Sequence, residues 1–267
     1  IEGYLMKLSI ITINYNNATG LQKTFDSVFA QTFTGYEYIV IDGGSGDGSK
    51  ALIEQHSPKI KYWVSEQDKG VYHAMNKGIQ RATGEYVLLL NSGDCFNGTT
   101  ILQQAFDLVF TESIVYADVK SNVTGAIISF PEQLSFSHFY HATINHQSTF
   151  IKRQLFIEHG LYNEDYKIAS DWEFFMKCIF LKLEPARHLD LVLVEFDYVD
   201  GISTRHDNFN LLLSEKKEVL SKYFSRFVKD YEEMELVKKM LYERNQSSIK
   251  INPVLIKFLR KLRKQLQ

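Results

Sequence analysis

Through the first 118 residues, short apolar runs alternate with stretches whose apolar residues recur at helical spacing. Leu8 to Asn14, LSIITIN, reads as a strand, and Thr19 to Gln31 follows as a helix with Leu21, Phe25, Val28 and Phe29 on one face. Tyr36 to Asp42 is a second strand, and the turn GGSGDGS leads into a helix near Lys50 to His56. Ile60 to Ser65 (strand), Val71 to Ala82 (helix), Glu85 to Asn91 (strand), Thr99 to Phe110 (helix) and Ser113 to Asp118 (strand) continue the rhythm. Val87 to Leu90 are four consecutive apolar residues, the mark of a strand buried on both faces. The alternation predicts an α/β fold with a Rossmann-like, mostly parallel sheet and helices on both sides. Beyond Asp118 the rhythm breaks. Strand-like segments at Ala126 to Phe130 and Val192 to Tyr198 bracket a helix near Asp171 to Leu181, which predicts a mixed sheet. From Asn208 the chain reads as helices, so the expected organisation is one domain over 6–205 and a helical extension over 206–267.

The end of that extension differs in kind from the body. In INPVLIKFLRKLRKQLQ, Val254, Leu255, Phe258, Leu259, Leu262 and Leu266 fall at helical spacing, and five Lys or Arg fill the remainder. From Arg244 onward there are seven basic residues and no acid, whereas the first 243 residues carry a net charge of −9. A basic amphipathic helix suits an anionic membrane surface. The same stripe also suits packing on the domain or on a second copy of the chain. Nucleic acid is not expected as a partner, because the acidic body would repel a polyphosphate backbone. Overall, 45% hydrophobic and 23% charged residues describe an ordinary globular chain. Cys95 and Cys178 have no metal-ligand spacing, no apolar run reaches the length of a bilayer span, and no stretch reads as a signal peptide, so none is expected. The expected location is the cytoplasm, at the inner face of the plasma membrane. Ile1 to Leu5 ahead of Met6 read as a vector remnant.

In open α/β sheets, ligands bind outside the carboxyl ends of the strands. Those ends carry Asn14, Tyr15 and Asn16 after the first strand, Asp42, Gly43, Gly44 and Ser45 after the second, and Asn91, Ser92, Gly93 and Asp94 after the fourth. The first two suit a nucleotide base and ribose. The third suits a cation with a phosphate, since hard divalent cations prefer carboxylate and phosphate oxygens and keep waters. Gly93 leaves room for a diphosphate against the backbone. A dinucleotide fingerprint is not satisfied, because Ser49 stands where the third glycine belongs, and no P-loop motif exists. NYNNATG holds no Lys or Arg, which argues against a nucleotidyltransferase.

The segments SIITINYNN, SVFAQTFTGYEYIVIDGGSGDGS, EQDKGVYHAMNKGIQRATGEYVLLLNSGD, INHQSTFIKRQLF and YKIASDWEFFMK resemble family 2 glycosyltransferases of the GT-A fold. The flavour is that of the bacterial exopolysaccharide and O-antigen, colanic-acid-like type, and the likeness runs from Lys7 to Ser203. It implies inverting transfer from a nucleoside-diphosphate sugar, UDP first and GDP or dTDP still open, to a glycan or lipid-linked acceptor, with Mg²⁺ or Mn²⁺. NSGD stands in the place of the DxD signature, so the resemblance makes Asp94 the metal ligand, with Asn91, Ser92 and Gly93 beside the donor. Asn14, Tyr15, Asn16, Asp42, Gly43, Asp68 and Asn76 would bind the donor. Asp171 in SDWE would be the general base that takes the acceptor's hydroxyl proton, with His146, Gln147 and Trp172 on the acceptor side. Alone, Asp171 could equally be a helix N-cap.

The chain departs from this pattern in three places. Gly43 replaces a second acid after the second strand, His73 replaces an acid in GVYHAMNKG, and NSGD lacks the usual first and third acids. Sparse acids keep two other classes in view, a catalytically silent nucleotide-sugar-binding scaffold and a nucleotidyltransferase. His138, His141 and His146 have no spacing that suits a helical metal pair.

Overall fold

The computed structural model describes residues 6–196 and 206–246. The basic tail from Asn252 lies outside the described residues. These divide into two compact units, one running to Glu218 and one beginning at Val219.

The first unit is built on a nine-stranded sheet. Its elements up to the fourth strand are β1 (Leu8–Asn14), α1 (Ala18–Phe29), β2 (Tyr36–Asp42), α2 (Ser49–His56), β3 (Tyr62–Ser65), α3 (Val71–Arg81) and β4 (Tyr86–Leu89). β5 (Cys95–Phe96), α4 (Ile101–Asp107), β6 (Ile114–Ser121), β7 (Ile127–Ile128), α5 (Phe136–His141), β8 (Thr149–Lys152), α6 (Arg153–Glu158), α7 (Ser170–Met176) and β9 (Ala186–Phe196) complete the first unit's strands. α8 (Phe209–Tyr223) and α9 (Ser225–Gln246) follow. The fold is α/β, with a mostly parallel block flanked by helices and C-terminal helices after it.

The strand order is β3-β2-β1-β4-β8-β6-β9-β5, with β7 on β6. The first four strands are parallel. β1 to β2 to β3 steps one way and β3 to β4 steps back over β1, so right-handed crossovers place α1 and α2 on one face and α3 on the other. The reversal leaves a crevice between the ends of β1 and β4. Ile10, Ile11, Val40 and Leu88 are fully buried, as strands covered on both faces should be. α3 packs so closely that a Cβ at Gly78 would overlap Ile11, and a glycine there is a packing requirement.

Beyond β4 the sheet is mixed. The fifth long strand, β6, does not extend the parallel block: β8 runs antiparallel between it and β4. The last strand begins at Ala186, six residues before the expected start at Val192, because it pairs in parallel along β6. Arg187, His188 and Asp190 disguise that start in the sequence, and a pair between His188 Nε2 and Asp118 Oδ1 at 2.7 Å accommodates the polar residues. The expected helix to Leu181 ends as α-helix at Met176 and continues as a π-turn over Lys177–Leu181. Among the described residues no helix is long and apolar enough to cross a membrane.

Candidate active site

A cavity of about 870 Å³ opens at the carboxyl ends of β1, β2 and β4. One wall comes from the turns after those strands. Asn14, the last residue of β1, donates to Asp42 Oδ1 at 2.7 Å. Asp42 also accepts from the Ser45 amide and hydroxyl and from the Ser65 hydroxyl. Burial pushes its carboxyl up, but the hydrogen bonds from Ser45, Ser65 and Asn14 win and hold it below the usual range. The Asn16 amide donates to Ser45 Oγ, and the Gly46 amide donates to Asn16 Oδ1, so the NYNN and GGSGDGS turns are stitched together. Asn16 adopts φ 49°, a left-handed conformation that asparagine tolerates.

This network relocates one expected contact. Asp42 is fully buried and does not face the cavity, because its oxygens are committed to the turns. Asn14, Tyr15, Asn16, Gly43 and Asp68 do line it. Asp68 Oδ1 meets Lys77 Nζ at 2.9 Å and His73 Nδ1 at 3.2 Å. Its other oxygen lies 3.1 Å from where a Cβ on Gly43 would stand. An acid at position 43 would therefore crowd Asp68 with like charge.

The NSGD turn is threaded onto α1 by Thr24. The Thr24 hydroxyl donates to the Asp94 carbonyl at 2.8 Å and accepts from the Gly93 amide at 3.0 Å. Gly93 sits at φ 106°, where other residues are strained, so it shapes the turn and does not itself line the cavity. Asn91, Ser92 and Asp94 do.

The opposite wall centres on Asp171. Its Oδ2 accepts from His146 Nδ1 at 2.8 Å, and its Oδ1 accepts from the Tyr72 hydroxyl at 2.9 Å and the Trp172 amide at 2.8 Å. Ala169 holds the cap position of α7, so Asp171, two residues into the helix, is not its N-cap. Burial pushes its carboxyl up, yet the His146 contact, the Tyr72 hydroxyl and the Trp172 amide hold it below the usual range. With Nδ1–H on the carboxylate, His146 Nε2 accepts from Asn91 Nδ2 at 3.1 Å. A hydrogen-bonded chain thus runs from Tyr72 through Asp171 and His146 to Asn91, joining both walls. Gln147 also lines the cavity.

Two expected residues stand back. Asn76 is buried, donating to the Tyr162 carbonyl and to Glu164 and accepting from the Tyr162 amide, so it ties α3 to the opposite wall without reaching the cavity. Trp172 is buried too, with Nε1 donating to the Phe139 carbonyl. Tyr72 and Thr24 were not singled out in the sequence. Tyr72 lay within a quoted motif, and Thr24 was a polar residue inside an apolar helical stripe.

The charged residues lining the cavity are Asp68, Asp94, Asp171 and Lys167. Three carboxylates against one lysine are a poor host for a diphosphate alone, and a divalent cation would offset that imbalance. Among the described residues, the group of three side chains that could grip a metal by themselves is Glu158, His159 and Glu184, none of which lines this cavity. The single carboxylate of Asp94 therefore fits a cation of the Mg²⁺ type, which relies on substrate phosphates and waters for its remaining ligands.

Residues 9–154 match the profile of Glycosyl transferase family 2. An uncharacterised glycosyltransferase of Mycobacterium tuberculosis is 36% identical over 197 residues, covering 71% of this chain and 74% of the relative. A PGL/p-HBAD biosynthesis glycosyltransferase of Mycobacterium bovis is 29% identical over 205 residues, covering 73% and 78%. Among solved structures, S. aureus TarS 1–349 superposes with a TM-score of 0.62 at 23% identity, over 72% of this chain and 61% of that one. The mannosyltransferase PcManGT from Pyrobaculum calidifontis, in complex with GDP-Man and Mn²⁺, gives a TM-score of 0.59 at 19% identity, over 75% and 59%. The chain thus spans about three fifths of the length of these solved proteins, and they speak to its fold. The profile match over the crevice-forming strands, with the M. tuberculosis relative, establishes that this chain belongs to glycosyl transferase family 2 and is a glycosyltransferase.

Proposed function

We propose that the protein is an inverting glycosyltransferase that moves a sugar from a nucleoside-diphosphate sugar, UDP first, to a glycan or lipid-linked acceptor in bacterial surface glycoconjugate synthesis. One observation carries this reading: a single cavity has nucleotide-sized polar turns on one wall and an oriented carboxylate, Asp171, on the other. Inversion needs that opposition, because the acceptor oxygen attacks the face of the sugar away from the leaving diphosphate. Asp171 takes the hydroxyl proton. Asn14, Tyr15, Asn16, Gly43 and Asp68 hold the nucleoside. Asp94 would hold Mg²⁺ or Mn²⁺, which would supply positive charge against the departing diphosphate. A UDP donor agrees with TarS, which was solved with UDP-GlcNAc, and a GDP donor with PcManGT. The M. bovis relative's name places that protein in PGL/p-HBAD biosynthesis, and this broadens the expected acceptor beyond the colanic-acid-like type.

Calorimetric titration of UDP, GDP and dTDP with and without Mn²⁺ tests the proposal. Metal-enhanced binding of one nucleotide is expected. Equal, metal-independent binding of all three, or of none, counts against it. We further propose that residues 6–205 carry the groups that touch donor and acceptor, while the basic tail at the end of the extension holds the enzyme at the inner face of the membrane. Equal pelleting of the full chain and a chain lacking 252–267 with anionic vesicles at low salt refutes that anchoring role.

A further inference from the structure

α8 touches the segment that leads into Asp171. The backbone amides of Lys167, Ile168 and Ala169 all donate to the carboxylate of Glu215, at 2.7, 3.0 and 2.9 Å. Glu215 is only 6% exposed. These three amides lie on the segment that runs into α7 and ends at its cap residue, Ala169, and a carboxylate from a distant helix satisfies all of them. The adjacent Lys216 lays its Nζ over the Trp172 ring, 4.6 Å from the centroid. Burial lowers the Lys216 ammonium to about 8, with the Asp171 carboxylate pulling the other way. A half-buried lysine that resists its own charge is a cost to the fold, and such costs concentrate where chemistry needs them.

We propose that Glu215 and Lys216 are positioning residues of the transfer reaction. Glu215 fixes the backbone that delivers Asp171 and Lys167 to the cavity, and Lys216 keeps a positive charge beside Asp171. The inference rests on the assignment of Asp171 as proton acceptor. It brings into the site a helix that begins after residue 154, where the family match ends. A carboxylate in a closed pocket is ready to take a proton only if it rests ionised. The groups facing Asp171 that hold it ionised are His146 from the turn before β8 and Tyr72 from α3, while Lys216 from α8, whose charge Asp171 favours, and Tyr162 are further titratable neighbours.

The full-length chain and the variants Glu215→Gln, Lys216→Met and Asp171→Asn are compared in three measurements. These are nucleoside diphosphate affinity by calorimetry with Mn²⁺, melting temperature, and release of nucleoside diphosphate from its sugar donor across pH. Glu215→Gln is expected to lower turnover about 10- to 100-fold, the scale of a slightly misplaced catalytic group, with nucleotide affinity held within about twofold. Lys216→Met is expected to melt a few degrees higher yet turn over more slowly, with the acidic limb of its rate profile moved to higher pH. Stability rising while turnover falls is an outcome that a purely structural lysine does not produce. Wild-type turnover in both variants overturns the proposal. If Glu215→Gln does not fold, Lys216→Met decides, and unchanged turnover with an unmoved acidic limb overturns it. Full turnover in Asp171→Asn overturns the underlying assignment of Asp171, whatever the α8 variants do.

Discussion

The two walls of the cavity are built by different means. The donor wall is made of strand ends, and its main clamp, Asp42, binds residues near it in the sheet: Asn14 on the paired strand, Ser45 three residues on, and Ser65 at the end of the next strand. The acceptor wall is made of turns and a seven-residue helix, α7. It is held by side chains that reach across the chain: Tyr72 to the Asp171 carboxylate, Asn76 to the Tyr162 carbonyl, and Glu215 to three amides. A wall made of strand ends inherits its shape from the sheet. A wall made of turns keeps its shape only while each long-range tie persists, and is correspondingly easier to vary.

Asp171→Asn should break the comparison most sharply. We predict a loss of transfer of about 10²- to 10⁴-fold with nucleotide binding intact, since an isosteric amide cannot take the proton and the donor wall is untouched. Full activity sinks the assignment. Asp94→Ala should act on the donor wall in the opposite sense, weakening nucleotide affinity in Mn²⁺ by about tenfold or more while leaving metal-free affinity unchanged. An equal effect with and without Mn²⁺ removes the metal role. Asp42→Ala should destabilise the fold by about 1–3 kcal/mol, because Asn14, Ser45 and Ser65 lose a shared acceptor; denaturant titration measures it, and a change near zero refutes the clamp.

The smallest expected effect is a pH dependence. Asp42 and Asp171 are both held below their ordinary values, so the unfolded chain binds more protons than the folded one between the folded value and about 3.9. Their stabilisation is complete above about pH 4 and is lost as pH falls through the folded values. Chemical denaturation from pH 6 to pH 2 should therefore show a shallower acid loss in Asp42→Asn than in the parent chain. Parallel curves contradict the prediction.

The same division governs what the sequence made legible. The parallel strands could be read because each is a short, mainly apolar segment that ends on polar residues, as at Val87 to Asp94. Periodicity offered Asp171 only as a cap; the expectation of a catalytic role came from the SDWE resemblance, and the His146 and Tyr72 contacts that surround it have no periodic signature. Glu215 was invisible because its partners are main-chain amides 46 to 48 residues away, which carry no side-chain signature. Thr24 was equally hidden, since its partners lie 69 and 70 residues on. Trp172 and Asn76 were recognised as motif members, but a motif does not distinguish a residue that touches ligand from one that holds its neighbours. Both proved to be holders.

α3 gives the cavity its gauge. Tyr72 and Asn76, four residues apart, face the acceptor wall, and His73 and Lys77, the next residue in each case, grip Asp68 on the donor wall. Successive positions on a helix turn by about 100° and rise by about 1.5 Å, so the angle between the two grips is written into helical pitch. Surface loops can lengthen, shorten or change chemistry, and with them the sugar or acceptor admitted, without altering the span across which a proton and a diphosphate must part company. A one-residue insertion between His73 and Asn76 would turn Asn76 and Lys77 away from their partners by about 100° without removing any of the named residues.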